Sequence, residues 1–512
     1  MPSSPASDLE TGPQAIQVVI ETRPPSDSEK SQHDEDTHGR LQQLGLAPRT
    51  SGDQQDGTPA QWMYEQTPYS LYSRYSRWRK TLFVAIVSWN GLISQVSSTS
   101  VLSALPEIAD QYGTEGRVIA LSNALYLVFM GISVAFWGPL SQVYGRRWTG
   151  VVAVLLTLAC SIGTALSPTI ASFFAFRILT AFCGTAPIVL GPSVISDIYH
   201  PTSRGTAVGW FMSGTLIGPS VGPLIGGVIV TFRSWRVIFW LQTALAAVGG
   251  LAILFFLPET SQNMRYEEMR ELPLGKRVVR LWGHLNPIKV IWLVIRYPNL
   301  ALAAYASGSI MFNMFGMLTP IRYVLNPRFA LTSPAESGLF YLAPGIGYLT
   351  GTFFGGRWAD RVVRRWIERR HGNRVPEDRL RSCLLALGVT LPGCMLVYGW
   401  TVDRAVGGIA VPVIAMFLGG VSQLFCFPSL NTYCLDVISG RGSEVMAGHL
   451  MVRYFFGAGA SALVLPAVKS IGVGWFSTIA AGQMVLGAVA LLFVTMYGRE
   501  WRVKLMAREG AC

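Results

Sequence analysis

The sequence predicts an all-α integral membrane protein with twelve transmembrane helices in two pseudo-symmetric six-helix halves. Three observations predict it. Charge is scarce, with 14% of 512 residues charged and 50% hydrophobic, where a soluble globular chain carries about 25% charged. Uncharged apolar runs of bilayer length, about 20 residues, recur between short polar connections. A glycine–polar–basic pattern also returns at the equivalent point of each half. One apolar run would be an anchor; a dozen make the membrane part the working body.

The spans are expected near Leu82–Leu105, Ile119–Leu140, Thr149–Leu166, Ile170–Ile195, Thr206–Phe232, Val237–Leu257, Asn299–Ile321, Gly338–Trp358, Ser382–Trp400, Gly407–Tyr433, Val445–Val468 and Val473–Tyr497. Residues 1–80 are rich in Ser, Pro, Gln, Asp and Glu and read as a disordered tail, since so polar a segment cannot offset its chain entropy by burial. It has no apolar core after a basic start, so it is not a signal peptide. The domain reading follows: tail 1–80, a six-helix half at 81–258, a basic central loop at 259–298, a second half at 299–498 and a tail at 499–512. Within the loop, Arg265–Trp282 mixes charge with apolar residues and is expected to form an amphipathic surface helix.

The net charge of +12 does not indicate nucleic acid, because the basic residues flank apolar spans, where they set topology. Arg74, Arg77, Arg79 and Lys80 precede the first span, Arg146 and Arg147 follow the second, and Arg499, Arg502, Lys504 and Arg508 follow the last. The other side has only Arg117, Arg233, Arg236, Arg322, Arg328, Arg404 and Lys469. The richer side is expected to be cytosolic, with both termini there. The seven cysteines show no paired spacing, so neither a disulfide framework, a zinc site nor another metal site is expected.

Two permanent charges lie inside spans, Arg177 and Arg453. A buried arginine costs at least about 2.5–3.5 kcal/mol at a helix centre, so it must face the bundle interior or a wet cavity. No Asp or Glu lies deep in any span, and the nearest are Glu107, Asp110, Asp197, Asp436 and Glu444. His449, at i−4 from Arg453, shares its helix face and titrates near neutral pH when unperturbed. Two embedded cations without embedded anions favour an anionic substrate. Asn90, Gln95, Asn123, Tyr126, Asn313, Tyr341, Gln423 and Asn431 are further candidates for the substrate and proton pathway, although polar residues in spans also tie helices together.

The repeat is Gly138-Pro-Leu-Ser-Gln142-Val-Tyr-Gly145-Arg146-Arg147 after span two and Gly356-Arg-Trp-Ala-Asp360-Arg361-Val-Val-Arg364-Arg365 after span eight, each with its first glycine expected at a helix end. Internal symmetry of this kind places a transport site between two halves near midplane. In span five, Gly214, Gly218, Gly222 and Gly226 are four apart and make one smooth face for close backbone approach. Pro219 and Pro223 remove donors from the same helix.

These residues resemble the major facilitator superfamily, and specifically its twelve-span fungal drug:proton antiporter group, over about Lys80 to Trp501. The resemblance implies that Gly138–Arg147 is a loop that latches the cytosolic gate by charge and helix-end contacts. The family's usual aspartate and arginine stand as Gln142 and Val143 here, so the first latch is expected to be the weaker; the second copy keeps them as Asp360 and Arg361. Gly218-Pro-Ser-Val-Gly222-Pro223-Leu-Ile-Gly226-Gly227 matches the motif that the family associates with antiporters, and so implies gating. Arg177-Ile-Leu-Thr-Ala-Phe-Cys-Gly184 resembles the membrane arginine motif tied to proton transfer, with Thr180 and Ala181 replacing the usual glutamine and glycine. Asp197 with Arg204-Gly205, and Leu257-Pro258-Glu259-Thr260, agree with the group without being expected to carry chemistry.

Gly457-Ala-Gly459-Ala-Ser-Ala462 mimics a dinucleotide fingerprint but lies in an apolar span without a preceding strand, so it reads as a packing face. No phosphate-binding Gly-x-x-x-x-Gly-Lys-Ser/Thr loop, nucleophile elbow or His-Glu-x-x-His pair occurs. The expected function is a monomeric, cofactor-free plasma-membrane exporter of a small organic molecule, such as a natural product, organic acid or drug, with protons as coupling ion. An uptake carrier or facilitator on the same fold, and a membrane solute sensor that does not transport, are the alternatives. Tags at Met1 and Cys512 should both be cytosolic in protease protection of sealed vesicles; opposite accessibility would exclude twelve spans.

Overall fold

A computed structural model describes residues 74–199, 204–261, 273, 276, 286–330, 333–371, 375–438 and 442–510. The expected disordered tail falls almost wholly outside the described residues, as does the Arg265–Trp282 stretch. Every regular element among the described residues is helical. The long helices are α1 (Arg77–Ser103), α2 (Gly116–Tyr144), α3 (Arg146–Leu166), α4 (Ile170–Ile198), α5 (Arg204–Phe232), α6 (Arg236–Phe256), α7 (Pro298–Arg328), α8 (Leu342–Arg369), α9 (Pro376–Arg404), α10 (Ala410–Asp436), α11 (442–471) and α12 (473–510). Helices α11 and α12 run on as one rod in hydrogen bonding but turn at Gly472, with φ 82° and ψ 167°.

Among the described residues, ten helical stretches, the α11–α12 rod counted once, are long and apolar enough to cross a membrane. Helix α8 has the length, but its second half carries Arg357, Asp360, Arg361, Arg364 and Arg365. The outside of the bundle is greasy: Leu155, Phe255 and Trp475 are 59%, 71% and 59% exposed. The inside holds the polar groups, with Asn90, Ser97, Asn123 and Gln242 all buried. This inversion is what a lipid solvent imposes, because it supplies no hydrogen bonds and every polar group must find a partner inside.

Three boundaries differ from the sequence expectation. Helix α7 continues past Ile321 through a π-helical turn, Ile321–Leu325, to Arg328. Pro334–Phe340 is a separate short helix, capped by Ser333 and Glu336, so α8 starts at Leu342. Helix α8 also does not end at the repeat motif but runs on to Arg369. The first copy does end a helix: α2 stops at Tyr144 because Gly145 takes φ +88°, which L side chains rarely adopt. The equivalent residue in the second copy is Val363, which has no access to that conformation, and the chain stays helical.

Between the halves, a ten-residue helix, Pro287–Arg296, buries Val290, Leu293 and Val294 and exposes Ile288, Trp292 and Ile295. A second amphipathic element is therefore present in the central connection, beyond the Arg265–Trp282 stretch that lies outside the described residues.

Helix α5 lies against α1 along its glycine face. A Cβ would stand 3.3 Å from the Ser88 carbonyl at Gly214, 3.2 Å from the Leu92 carbonyl at Gly218, 3.0 Å from the Val96 carbonyl at Gly222 and 2.5 Å from the Ser100 carbonyl at Gly226. The small-residue stretch of α11 is likewise a packing face, with Gly457 against Met311 and Phe315 of α7.

Gly145→Ala would force a Cβ to within 2.7 Å of Glu259 Cδ at an already strained φ. A cost of about 1–3 kcal/mol is expected, seen as a lower thermal midpoint of the purified protein. An unchanged midpoint would show that the turn does not need its glycine.

Candidate functional site

Helix α4 begins at a Thr169 capping box and carries Arg177 two turns in, fully enclosed. The guanidinium donates to the Ser97 carbonyl of α1 at 3.0 Å and to Asn123 Oδ1 of α2 at 3.2 Å. It lies 4.3 Å from the Tyr126 ring centroid and 5.8 Å from that of Phe239. These partners are all neutral. Carbonyl dipoles and ring quadrupoles thus offset the cation's desolvation where no carboxylate does. Arg177 Nε finds no partner among the described residues.

The network extends outward from there. Tyr126 donates to Ser97 Oγ at 3.1 Å, Ser97 to Gln242 Oε1 at 3.1 Å, and Gln242 to Ser100 Oγ at 2.7 Å. Asn123 does two things at once: its oxygen accepts from Arg177, and its Nδ2 donates to Ser461 of α11 at 3.2 Å. Ser461 belongs to the other half, so one amide connects the buried cation to the interface between halves.

Arg453 of α11 is 7% exposed and lies apart from this cluster. Its Nε donates to Ser307 at 2.7 Å, and one terminal nitrogen reaches Asn431 Oδ1 at 2.5 Å and His449 Nε2 at 2.9 Å, with the Phe427 ring at 4.4 Å. A guanidinium only donates, so His449 Nε2 accepts and its ring proton sits on Nδ1. Asn313 and Gln423 are buried in the second half, with Asn313 donating weakly to Met317 Sδ at 3.8 Å and Gln423 Oε1 without a partner among the described residues. The pathway candidates therefore fall into three groups: the Arg177–Asn123–Tyr126 network, the Arg453–His449 pair, and the Asn313 and Gln423 amides.

At the face bearing the N-terminal end of α1, the basic face, the first repeat copy is held by two acids. Glu259 accepts from the Arg146 and Arg147 amides at 2.7 and 3.1 Å, capping α3 where the helix dipole is positive. Asp197 accepts from Arg146 Nε at 3.2 Å and from Thr260 at 3.3 Å. The sequence marks Asp197 as a span-end acid available for protons and gives Glu259 no chemistry; both carry contacts at this helix end. In the second copy Asp360 pairs with Arg379 at 3.6 Å, 61% exposed.

Contacts between the halves gather at mid-depth and at the far face. Gln95 donates to Tyr454 at 3.3 Å. Arg322 of α7 pairs with Glu107, from the short helix after α1. Ala335 N donates to Thr231 of α5 at 2.9 Å, and a Cβ on Gly227 would lie 2.7 Å from the Pro334 carbonyl. Nearer the basic face, among the described residues, Asn431 makes a long contact to Met212 Sδ at 3.8 Å. The halves are thus closed together on the face away from the basic one. Of the span-five motif, Gly218, Gly222 and Gly226 pack within one half, and Gly227 meets the other.

Two six-helix halves closing around buried polar networks define a multi-pass membrane transporter, not an enzyme. The family model described as Major Facilitator Superfamily matches residues 87–462, and the chain belongs to that family. It is 28% identical over 500 residues to the efflux pump vrtL of Penicillium aethiopicum, covering 94% of this chain and 92% of that one. It is 24% identical over 553 residues to the MFS antiporter QDR3 of Candida albicans, covering 83% and 78%. Its fold matches the human organic anion transporter MFSD10 with a TM-score of 0.60 at 17% identity, over 80% of this chain and 99% of that one. The relatives support placement in the fungal drug-efflux type group of the family.

Gly222→Leu and Gly227→Ala should separate packing from gating. Overpacking α5 on α1 is expected to cost about 1–3 kcal/mol or more, so Gly222→Leu should lower yield and thermal midpoint. Gly227→Ala should push the halves apart at the Pro334 carbonyl, slowing transport with a smaller drop in midpoint than Gly222→Leu. A stable Gly222→Leu protein would contradict the packing assignment.

Proposed function

We propose that this transporter exports a small organic anion, such as an organic acid or an acidic natural product, by proton antiport and alternating access. It works as a monomer in the plasma membrane with both termini cytosolic. The observation that carries the reading is the placement of Arg177: a membrane-buried cation held by neutral acceptors, one of which also spans the halves. Such a cation is poised to exchange a neutral partner for a carboxylate, because guanidinium and carboxylate form a two-bond fork. The substrate would displace Asn123 and weaken its bond to Ser461. Export rather than uptake is supported by the span-five motif and by the printed names of the efflux-pump and antiporter relatives. The basic face is the cytosolic one on the charge distribution.

Export of labelled benzoate, with the cation tetraphenylphosphonium as counter-probe, tests this in cells and vesicles. Benzoate should leave against its gradient and stop doing so when an uncoupler dissipates the pH gradient. Arg177→Lys keeps charge without the fork and should retain partial activity. Arg177→Ala should lose about 10- to 100-fold, the equivalent of one charge-assisted hydrogen bond or more, while still reaching the membrane. A fully active Arg177→Gln, which keeps donors without charge, would overturn the assignment.

A further inference from the structure

We propose that the transporter holds its substrate at two stations in succession, and that Arg453 with Asn431 forms the first, a carboxylate site met from the basic face before the one at Arg177. The inference rests on the anion reading above and adds a second site to it.

The two arginines are built into the bundle in the same way. Arg177 donates to Ser97 of α1, the opening helix of its half, and Arg453 donates to Ser307 of α7, the opening helix of the other. Each guanidinium reaches an asparagine oxygen, Asn123 Oδ1 at 3.2 Å and Asn431 Oδ1 at 2.5 Å. Each lies by an aromatic ring, Tyr126 at 4.3 Å and Phe427 at 4.4 Å. In both, the asparagine turns its Nδ2 to the opposite half, to Ser461 Oγ at 3.2 Å and to Met212 Sδ at 3.8 Å. This likeness is hidden in the sequence, because the arginine stands on the fourth helix of the first half and on the fifth of the second.

Each assembly also ends one acceptor short. Arg177 Nε has no partner among the described residues. His449 accepts from Arg453 through Nε2 and so carries its proton on Nδ1, which likewise has no partner among the described residues. A buried donor without an acceptor is destabilising. The recorded partners of both guanidinium groups are neutral. A carboxylate supplies both missing things, negative charge and acceptor oxygens, in the geometry that suits a guanidinium. An organic cation supplies neither.

Depth puts the two in order. Helix α11 starts at the basic face, and on it Arg453 precedes Ser461 by two turns, about 12 Å at 1.5 Å per residue. Ser461 is level with Asn123, and so with the Arg177 network. Tyr454, next to Arg453, accepts from Gln95 of α1 at 3.3 Å, which sets this stretch of α11 at the junction of the halves. Arg453 and Asn431 keep a little exposure, where Arg177 and Asn123 are fully enclosed. With the halves closed on the far face, the arginine reached first is Arg453. A carboxylate arriving there would displace Asn431 and release its long contact to Met212, as one at Arg177 would displace Asn123. The hydrogen bonds of a single carboxylate reach only about 3 Å, so it visits the two arginines in turn.

Photolabelling of the full chain in lipid nanodiscs with 4-azidobenzoate locates the stations, with excess benzoate as competitor and peptide mapping as the readout. Benzoate-protected label should fall on peptides around Arg177 and also on those of α10 and α11 around Asn431 and Arg453. Asn431→Asp places a carboxylate against Arg453 at nearly unchanged size. It should cut the α10 and α11 label about tenfold or more and leave the Arg177 label in place; Asn123→Asp should do the reverse. Arg453→Gln, which removes the charge and keeps donors, should repeat the loss and guards against misfolding of Asn431→Asp. In inside-out vesicles Arg453→Gln should also raise the KM for benzoate about tenfold with a smaller change in kcat, because a first station acts on capture. Protected label confined to the Arg177 peptides, or equal labelling of α10 and α11 in the folded variants, overturns the first station while the anion reading stands. Absence of protected label from both regions overturns the anion reading and the station with it.

Discussion

Hydrogen-bond satisfaction without solvent governs this molecule. Lipid offers no donors or acceptors, so a helix can bring a polar side chain into the bilayer only if another helix meets it. The partners that join helices come from across the bundle: Arg177 with α1 and α2, Gln242 with α1, Arg453 with α7 and α10. Each such bond fixes the rotation and depth of two helices at once. The apolar side chains, which face a solvent as greasy as themselves, fix neither.

The same constraint explains why small residues and polar residues divide the surface of α1. The stripe against α5 is read by backbone proximity, and the stripe toward α4 and α6 is read by hydrogen bonding. Close packing and polarity are the two adhesives available in a membrane, and this helix uses one on each side. The interface between the halves uses fewer bonds, concentrated at mid-depth and at the far face, as a surface that must come apart requires. The Glu107–Arg322 pair sits at the edge of that interface, where water can take over from either partner when the halves separate.

How much of this could be read from the sequence depends on contrast. Helix positions were legible because twelve apolar runs stand out against a charged background, and Arg177 and Arg453 because an arginine in such a run is conspicuous. The glycine spacing in span five announced a close approach but not its partner; that α1 takes the face, and that Gly227 looks the other way, is set by tertiary packing. Ser97, Ser307 and Ser461 were invisible, since a serine in a helix is ordinary until something meets it. The contacts of Asp197 and Glu259 were not legible, because an acid at a span end looks solvated. The second repeat was aligned on Gly356, but the residue deciding whether the helix ends is the one matching Gly145, and there the chain has Val363. Symmetry of motif did not carry over into symmetry of backbone.

Asn123 has a thermodynamic consequence. An amide that accepts at its oxygen is polarised and donates more strongly from its nitrogen. Its bonds to Arg177 and Ser461 therefore reinforce each other, and linkage makes the effect mutual. Whatever weakens the Arg177 bond loosens the junction of the halves by the same free energy with which parting the halves frees the arginine. The side chain is a coupling element in the strict sense: two equilibria, one at the buried charge and one at the interface, share a single group and cannot be set independently.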